Sequence, residues 1–564
     1  MATWNLQELM QEKNFEKEKD VLKKKAEHLV AYRNQYVPTI SAELFKKILK
    51  EKEELSKQFS KISSYIHLIL AKDVANTKAQ AMELQMNQLG TEIGNQTLFL
   101  SLGFKEFDEA NAQRIIKALP EHRHYLERAR FFKKYWLTEE VEKVINIKDI
   151  SGVQALNQVY DALTTEFLFD FQGKQIKQEQ LMKYVRDPDP KIRKLAYNTL
   201  LIMYKKYRTP ITLAYQNIVH DWKNEADLRT YTSPINVRNL SNDLEDEDVE
   251  ILLKVFKKNL PIFQNYFKHK AKQLNHKLTR YDIYAPLKTT NEKYTYEEAQ
   301  SLVLEAFKPF PEFEKNAALI LKNHIDTEIT QKKRSGAFCY AVTPDVLPYI
   351  MMSFTRDLKS LHTLAHELGH GIHDILSYKN SYFQTHPVLP LAESASTFAE
   401  TLLIESLKKK NPELKKELTF EQMDDAYATI ARQFQFVLFE KEAHDQIMQG
   451  KTSEEIDKLY LQQLKEHFGS SVEVPEIFQN ERLYISHFFH TPFYCYAYGF
   501  GMLLAFSLYE QYQKNQRFKN EIITIFSSGS NDAPRNILKK AGLTMDEKFW
   551  QQGFDYLKSL TKDL

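Results

Sequence analysis

The sequence contains little cysteine, glycine or proline for its length. Only two cysteines, Cys339 and Cys495, occur in 564 residues, which excludes a disulfide framework. The 15 glycines and 18 prolines are too few for a β-sandwich, a disordered chain or a loop-rich scaffold, so the composition favours long helices. Because a chain this long exceeds what one hydrophobic core supports, we expect two or more lobes.

The sequence also lacks a strong net charge and a convincing membrane segment. Lysine and arginine number 77 against 75 aspartates and glutamates, and a net charge of +2 gives no overall field for nucleic acid or an anionic membrane. The N-terminal stretch has no apolar core of a secretory signal. The most apolar long stretch, residues 488–509, contains His490, Pro492 and several tyrosines and is a poor membrane span. We therefore expect a cytoplasmic protein that binds neither nucleic acid nor a membrane.

Most of the sequence has the apolar spacing of helices, with apolar residues three or four positions apart. One exception is residues 165–176, TEFLFDFQGKQI, where every second residue is phenylalanine before a turn at Gly173. This alternation predicts a small β-hairpin. The Asp-Pro-Asp-Pro sequence that follows breaks a helix. There we place the boundary between an N-terminal helical lobe, residues 1–187, and a second lobe, residues 188–564.

The stretch SLHTLAHELGHGIHDIL carries four histidines on an otherwise apolar helical pattern. Two of them, His366 and His370, fit the pattern H-E-x-x-H together with Glu367. Residues four apart lie on one face of a helix, so the two imidazoles can converge on one metal ion, for which zinc is the expected choice. Glu367 is rotated by about 100° from His366 and can reach a metal-bound water as a general base.

The same motif also occurs by chance, and on the motif alone a helix with partly exposed histidines remains an alternative. The other two histidines of the stretch, His362 and His373, are interpreted as packing, supporting or surface groups. Asp374 lies four residues after His370. It either orients a ligand histidine or lies on the surface.

A catalytic zinc commonly takes three protein ligands, and the stretch HPVLPLAESASTFAETLLIESL offers the third. Glu393 and Glu400 are seven residues apart and therefore share one face of a helix that begins near Pro390. Small residues around Glu393, like Gly369 in the histidine stretch, predict that the two helices pack closely. We predict Glu393 as the third ligand and Glu400 as a carboxylate that orients a ligand imidazole. The alternative is a pair of glutamates that face solvent.

HELGHGIH followed by LAESASTFAE resembles the oligoendopeptidase F and thimet oligopeptidase family of zinc metallopeptidases, and the bacterial oligoendopeptidase F branch in particular. The stretches LTRYDIYAPL, KKRSGAFCY and HFFHTPFYCYAYGFG resemble further landmarks of that branch. The resemblance extends from about residue 110 to the end of the chain.

This resemblance implies a mainly α, two-lobed, zincin-type metallopeptidase around a deep substrate channel, with a small β element near the active site. It implies one zinc ion per chain, held by His366, His370 and Glu393, with Glu367 as the base. PYIMMSF, residues 348–354, resembles the edge strand that pairs with a substrate backbone in related zinc peptidases.

The aromatic stretch near the C-terminus resembles groups that contact substrate and stabilise the tetrahedral intermediate. The candidates are His487, Tyr494, Tyr496 and Tyr498. The resemblance does not specify which tyrosine has which role, and packing in the core or channel wall is the alternative for each of them.

The activity that the resemblance implies is hydrolysis of internal bonds in short peptides, which are the expected partners. One alternative is a zinc exopeptidase that trims peptide termini. The other is a helical peptide-binding scaffold with a structural metal. A structural zinc usually takes cysteine ligands, and neither Cys339 nor Cys495 is near the motif in sequence. The sequence does not specify an oligomeric state.

Overall fold

The computed structural model describes residues 2–287 and 292–564, and helices form most of this chain. The predicted mainly α class is confirmed. In chain order the helices are α1 (Phe15–Val30), α2 (Ala42–Lys72), α3 (Thr77–Glu106), α4 (Glu109–Ala118), α5 (Arg123–Phe131), α6 (Glu139–Ser151), α7 (Val153–Glu166), α8 (Gln178–Lys183), α9 (Pro190–Lys206), α10 (Arg208–Leu228), α11 (Pro234–Ser241), α12 (Asp246–Leu274), α13 (Tyr296–Phe307), α14 (Pro311–Asn323), α15 (Leu358–Ser377), α16 (Leu389–Lys410), α17 (Lys415–Ala426), α18 (Arg432–Met448), α19 (Ser453–Phe468), α20 (His487–His490), α21 (Tyr496–Lys514), α22 (Lys519–Phe526), α23 (Pro534–Lys540) and α24 (Glu547–Leu560). None of the helices in the described ranges is long and apolar enough to cross a membrane.

The chain folds into two compact units, and each unit is built from three separate segments. The first unit comprises Met1–Lys134, Asn291–Ser406 and Gln511–Leu543. The second comprises Tyr135–Thr290, Leu407–Glu510 and Thr544–Leu564. Neither unit is therefore a continuous half of the sequence. The predicted boundary between an N-terminal lobe, residues 1–187, and a second lobe, residues 188–564, stays a prediction.

The predicted β-hairpin is present in the second unit. Strands β1 (Phe169–Phe171) and β2 (Lys174–Ile176) pair antiparallel, with Phe171 opposite Lys174. The two residues between the strands, Gln172 and Gly173, have φ angles of 54° and 77°. Positive φ at both positions of a two-residue loop matches the twist of a hairpin, and glycine adopts it without steric cost.

A second, three-stranded sheet lies in the first unit, and its order corrects one prediction. The strands are β3 (Ile325–Asp326), β4 (Phe338–Tyr340) and β5 (Tyr349–Met351), in the spatial order β3-β5-β4. β5 pairs parallel with β3 and antiparallel with β4. The prediction of an edge strand within residues 348–354 is therefore wrong, because β5 is the central strand and β4 lies at an edge.

Helices α15 and α16 lie unusually close together in the first unit. α15 begins at a side-chain cap, where the backbone N–H of Ser360 donates to the Asp357 carboxylate at 2.8 Å. Gly369, the residue before the second histidine of the motif, faces α16. A Cβ atom at Gly369 would lie 2.5 Å from the Cα atom of Ser396 and 2.8 Å from the carbonyl oxygen of Ala395. This geometry confirms the predicted close packing of the two helices.

The contact at Gly369 predicts that an alanine substitution there lowers the stability of the protein, the opposite of its usual effect in a helix. In a helix interior, alanine is ordinarily more stable than glycine by about 1 kcal/mol. In Gly369→Ala the new methyl group meets backbone atoms that cannot rotate away, so we expect a loss of about 1–3 kcal/mol or more and a lower thermal unfolding midpoint.

Gly94 in α3 is the matched control, because a Cβ atom there would meet nothing within 4 Å. We expect Gly94→Ala to leave the thermal midpoint unchanged or to raise it. Similar midpoints for the two variants would contradict the close approach of α15 and α16.

Candidate functional site

Three side chains converge where α15 faces α16. The Nε2 atoms of His366 and His370 lie 3.5 and 3.4 Å from the Oε2 atom of Glu393. In a tetrahedral zinc site with bonds of about 2.1 Å, neighbouring ligand atoms are about 3.4 Å apart. The three predicted ligands therefore fit zinc in both donor type and spacing. Within the described chain they are the one group of at least three His, Cys, Asp or Glu side chains with ligand atoms that close together.

The carboxylate of Glu400, two turns after Glu393 on α16, contacts the other nitrogen of a ligand histidine. Its Oε2 atom lies 3.2 Å from Nδ1 of His366. If Nδ1 donates this hydrogen bond, the lone pair of Nε2 faces the metal position. The hydroxyl of Ser396 donates to the Glu393 carboxylate at 3.1 Å and holds the third ligand from its own helix. The geometry thus agrees with the orienting role predicted for Glu400.

The carboxylates at the site change the pKa of the ligand histidine. Burial lowers the pKa of His366, but the negative charge of Glu400, and then those of Glu393 and Glu367, outweigh burial and raise it to about 9. Burial likewise opposes the ionised form of Glu393, but the hydrogen bond and charge of His370 lower the pKa of Glu393 to about 2. A metal bound by these residues would therefore have to displace a proton from His366, while Glu393 is already ionised.

Glu367 is buried, with 6% of its surface exposed, whereas His366 and His370 are only partly buried. Burial raises the pKa of this carboxyl, and the neighbouring His366 and His370 oppose that rise. A carboxylate with a raised pKa is a better proton acceptor near neutral pH than one in water. The environment of Glu367 thus suits the predicted general base.

The three donors open into a cavity of about 440 Å³ within the first unit. Its walls include the edge strand β4, so the small β element expected near the active site is present. Asp374 also lines the cavity, 3.8 Å from His386, and burial raises the pKa of Asp374 to about 7. Sequence reasoning missed Cys339 and His386 as cavity residues, although Cys339 lies within the landmark KKRSGAFCY.

The two remaining histidines of α15 are buried in the protein. His362 is 8% exposed and His373 is 4% exposed. The ring of His373 lies 5.4 Å from that of Phe526, and burial lowers the pKa of His373 to about 3. These positions agree with packing or supporting roles.

Three of the four predicted aromatic-stretch residues form a cluster in the second unit. Nε2 of His487 lies 3.4 Å from the hydroxyl of Tyr498, and the ring of Tyr494 stacks on that of His487 with centroids 5.9 Å apart. Tyr496 is separate from this cluster, since it is fully buried and its hydroxyl accepts a hydrogen bond from Asn242 at 2.8 Å. Burial also raises the pKa of Tyr496. The environment of Tyr496 therefore favours packing in the core over contact with a substrate.

Two protein-family models match the chain. The one described as Peptidase family M3 matches residues 182–555, and the one described as Oligopeptidase F matches residues 104–169. An oligoendopeptidase F homolog from Borreliella burgdorferi is 28% identical, over 92% of this chain and 93% of that protein. The resemblance found in the sequence is thereby confirmed.

Two solved structures share the fold. A putative peptidase from Chlamydophila abortus superimposes with a TM-score of 0.89 at 24% identity, over all of this chain and 97% of that one. An oligoendopeptidase F from Enterococcus faecium has a TM-score of 0.70 at 21% identity, over 98% of this chain and 99% of that one.

The contact between Glu400 and His366 predicts the effect of removing that carboxylate. Glu400→Ala should weaken zinc binding about 10–100-fold, because His366 loses the acceptor that orients its ring and raises its basicity. Titration of zinc against a competing chelator measures the change.

Glu312→Ala is the control, because Glu312 is an exposed glutamate of α14 in the same unit. Its zinc affinity should equal that of the unmodified protein. An unchanged affinity in Glu400→Ala would mean that Glu400 does not support the metal ligand.

Proposed function

The chain belongs to peptidase family M3, and from that premise we propose that it is a zinc-dependent oligoendopeptidase that cleaves internal bonds of short peptides. It is a metallopeptidase, a peptide hydrolase. The spacing of His366, His370 and Glu393, with Glu367 adjacent to the first ligand, is the observation that supports the finer proposal most directly.

In this proposal one zinc ion per chain is held by His366, His370 and Glu393. When bound, zinc supplies Lewis-acid chemistry that acidifies water and polarises a peptide carbonyl. Glu367 accepts the proton of the attacking water and returns it to the leaving amine. Glu400 keeps the ring of His366 oriented throughout.

The peptide backbone is proposed to lie along β4. This strand pairs with β5 on one side and lines the same cavity as the metal ligands. An edge strand offers unpaired N–H and C=O groups to an extended peptide, which then adds to the sheet as a further strand. Because such binding uses hydrogen bonds to the peptide backbone and not to its side chains, it allows short peptides of varied sequence to bind.

The cluster of His487, Tyr494 and Tyr498 is proposed to supply hydrogen bonds to the oxyanion that forms when water attacks the carbonyl. A tyrosine hydroxyl and an imidazole N–H are suitable donors for that developing charge. Burial, followed by the charge of Arg432, lowers the pKa of His487, which favours a neutral ring. A cytoplasmic location and the absence of nucleic-acid or membrane partners stay predictions from the sequence.

The general-base assignment predicts the behaviour of Glu367→Gln. This variant should keep one zinc per chain and lose about 10²–10⁴-fold in kcat, because the amide cannot accept the proton from water. His370→Ala should lose both zinc and turnover. The measurements are metal content by atomic spectroscopy and cleavage of peptides graded in length and blocked at both ends, followed by mass spectrometry.

Blocked peptides also separate endopeptidase from exopeptidase activity. Internal cuts in the short blocked peptides, absent from Glu367→Gln and from a chelated sample, are expected for the proposed function. Trimming of free peptides with blocked ones left intact would replace it with the exopeptidase alternative. Full turnover by Glu367→Gln would show that another group acts as the base.

A further inference from the structure

A second cavity, of about 260 Å³, lies among the N-terminal helices of the first unit, and none of its lining residues lines the metal cavity. Most of its lining residues lie on α2, α3 and α5. Most of its wall is apolar and includes Phe45, Ile48, Leu49, Leu100, Phe104 and Leu126. Its volume lies just below the range of roughly 300–1,000 Å³ that is typical of sites for small organic molecules.

One lysine on the wall of this cavity has no acidic partner. The Nζ atom of Lys52 donates to the hydroxyl of Ser101 at 3.2 Å and lies 5.5 Å from the ring centroid of Phe383. Within the described chain no carboxylate pairs with Lys52, and burial lowers its pKa. The neighbouring carboxylates are occupied elsewhere, since Glu53 lies 3.1 Å from His122 and Glu54 lies 3.0 Å from Lys57. A partly desolvated ammonium group without a counter-ion favours a bound anion.

The other polar groups on the wall are also suited to an anion. Tyr36 and Tyr125 line the cavity, and each carries a hydroxyl that can donate a hydrogen bond. Lys105 and Arg128 add two more cationic side chains, and the guanidinium of Arg128 lies 4.5 Å from the ring centroid of Phe132. The described wall contains three cationic residues and no acidic one.

We propose that this cavity binds a free medium-chain fatty acid. The aliphatic chain would lie against the apolar side chains of α2 and α3, and the carboxylate would accept hydrogen bonds from Lys52, Ser101 and the tyrosine hydroxyls. An inorganic anion would leave the apolar walls in contact with water, and a neutral lipid would leave the lysine without a counter-charge. A fatty acid both covers the apolar walls and supplies a counter-charge to Lys52. The proposal does not depend on the peptidase activity.

The test is calorimetric titration of the zinc-loaded full chain with octanoate, octanol and acetate. Octanoate should bind saturably, one per chain, and at least tenfold more tightly than octanol or acetate. Equal binding of octanoate and octanol would overturn the role of the carboxylate, and no saturable binding of octanoate would overturn the site. These comparisons use the unmodified protein and do not depend on the folding of a variant.

Variants locate the binding. Lys52→Met should weaken octanoate at least tenfold and leave octanol unchanged, whereas Lys50→Met, an exposed lysine on the same helix, should change neither. Ala129→Phe should abolish octanoate binding by filling the cavity. A cooperative thermal unfolding transition would establish that each variant is folded.

Two further results would overturn the fatty acid as the occupant of this cavity. Binding that survives Ala129→Phe and competes with peptide substrate would mean that octanoate ligates the zinc, and the proposal would fail. Tighter binding of N-acetyl-leucine than of octanoate would identify the cavity as a site for peptide C-termini and overturn the fatty acid as its occupant.

Discussion

The close approach of α15 and α16 at Gly369 is the contact on which the proposed metal centre depends. Two histidines one turn apart can offer two ligands from a single helix, but a third ligand has to come from a neighbouring backbone. Any side chain at Gly369 would push α16 outward, and the Glu393 carboxylate would move away with it. The φ angle of Gly369 lies in the ordinary helical range, which any residue can adopt. Glycine is therefore needed here for its small size and not for a special backbone conformation.

The same helix pair sets the electrostatics of the site. Glu393 and Glu400 share one face of α16 and meet both nitrogens of the His366 ring. Their negative charges outweigh the cost of burying a protonated imidazole. Without a metal ion, His366 therefore keeps its proton at the site proposed for the cation. Glu367 experiences the opposite balance, because there burial outweighs the charges of His366 and His370 and the pKa of the carboxyl rises. Adjacent residues of one helix thereby acquire different roles.

Features governed by local periodicity were predictable from the sequence. The hairpin of β1 and β2, the ligand pair of α15, and Glu393 and Glu400 on one face of α16 follow from spacings of two, four and seven residues. The edge strand was predicted in the wrong place, because strand order depends on pairing between segments distant in sequence. Likewise, the sequence did not distinguish the three tyrosines of the aromatic stretch. In the structure Tyr496 is buried in the core, whereas Tyr494 and Tyr498 contact His487.

The sequence by itself determined the helical class and the candidate metal ligands, since composition, periodicity and motif spacing act within a few turns of chain. The family came from the resemblance of whole stretches of sequence to a known branch. Only the tertiary structure decided that β4 is the edge strand beside the candidate metal ligands, and that Asp374 and His386 share their cavity. It also decided that Lys52 is half-buried with no acidic partner in the described chain. The division into two units of three segments each belongs to the same category. Burial and pairing between distant segments fix these features, and neither is encoded in local spacing.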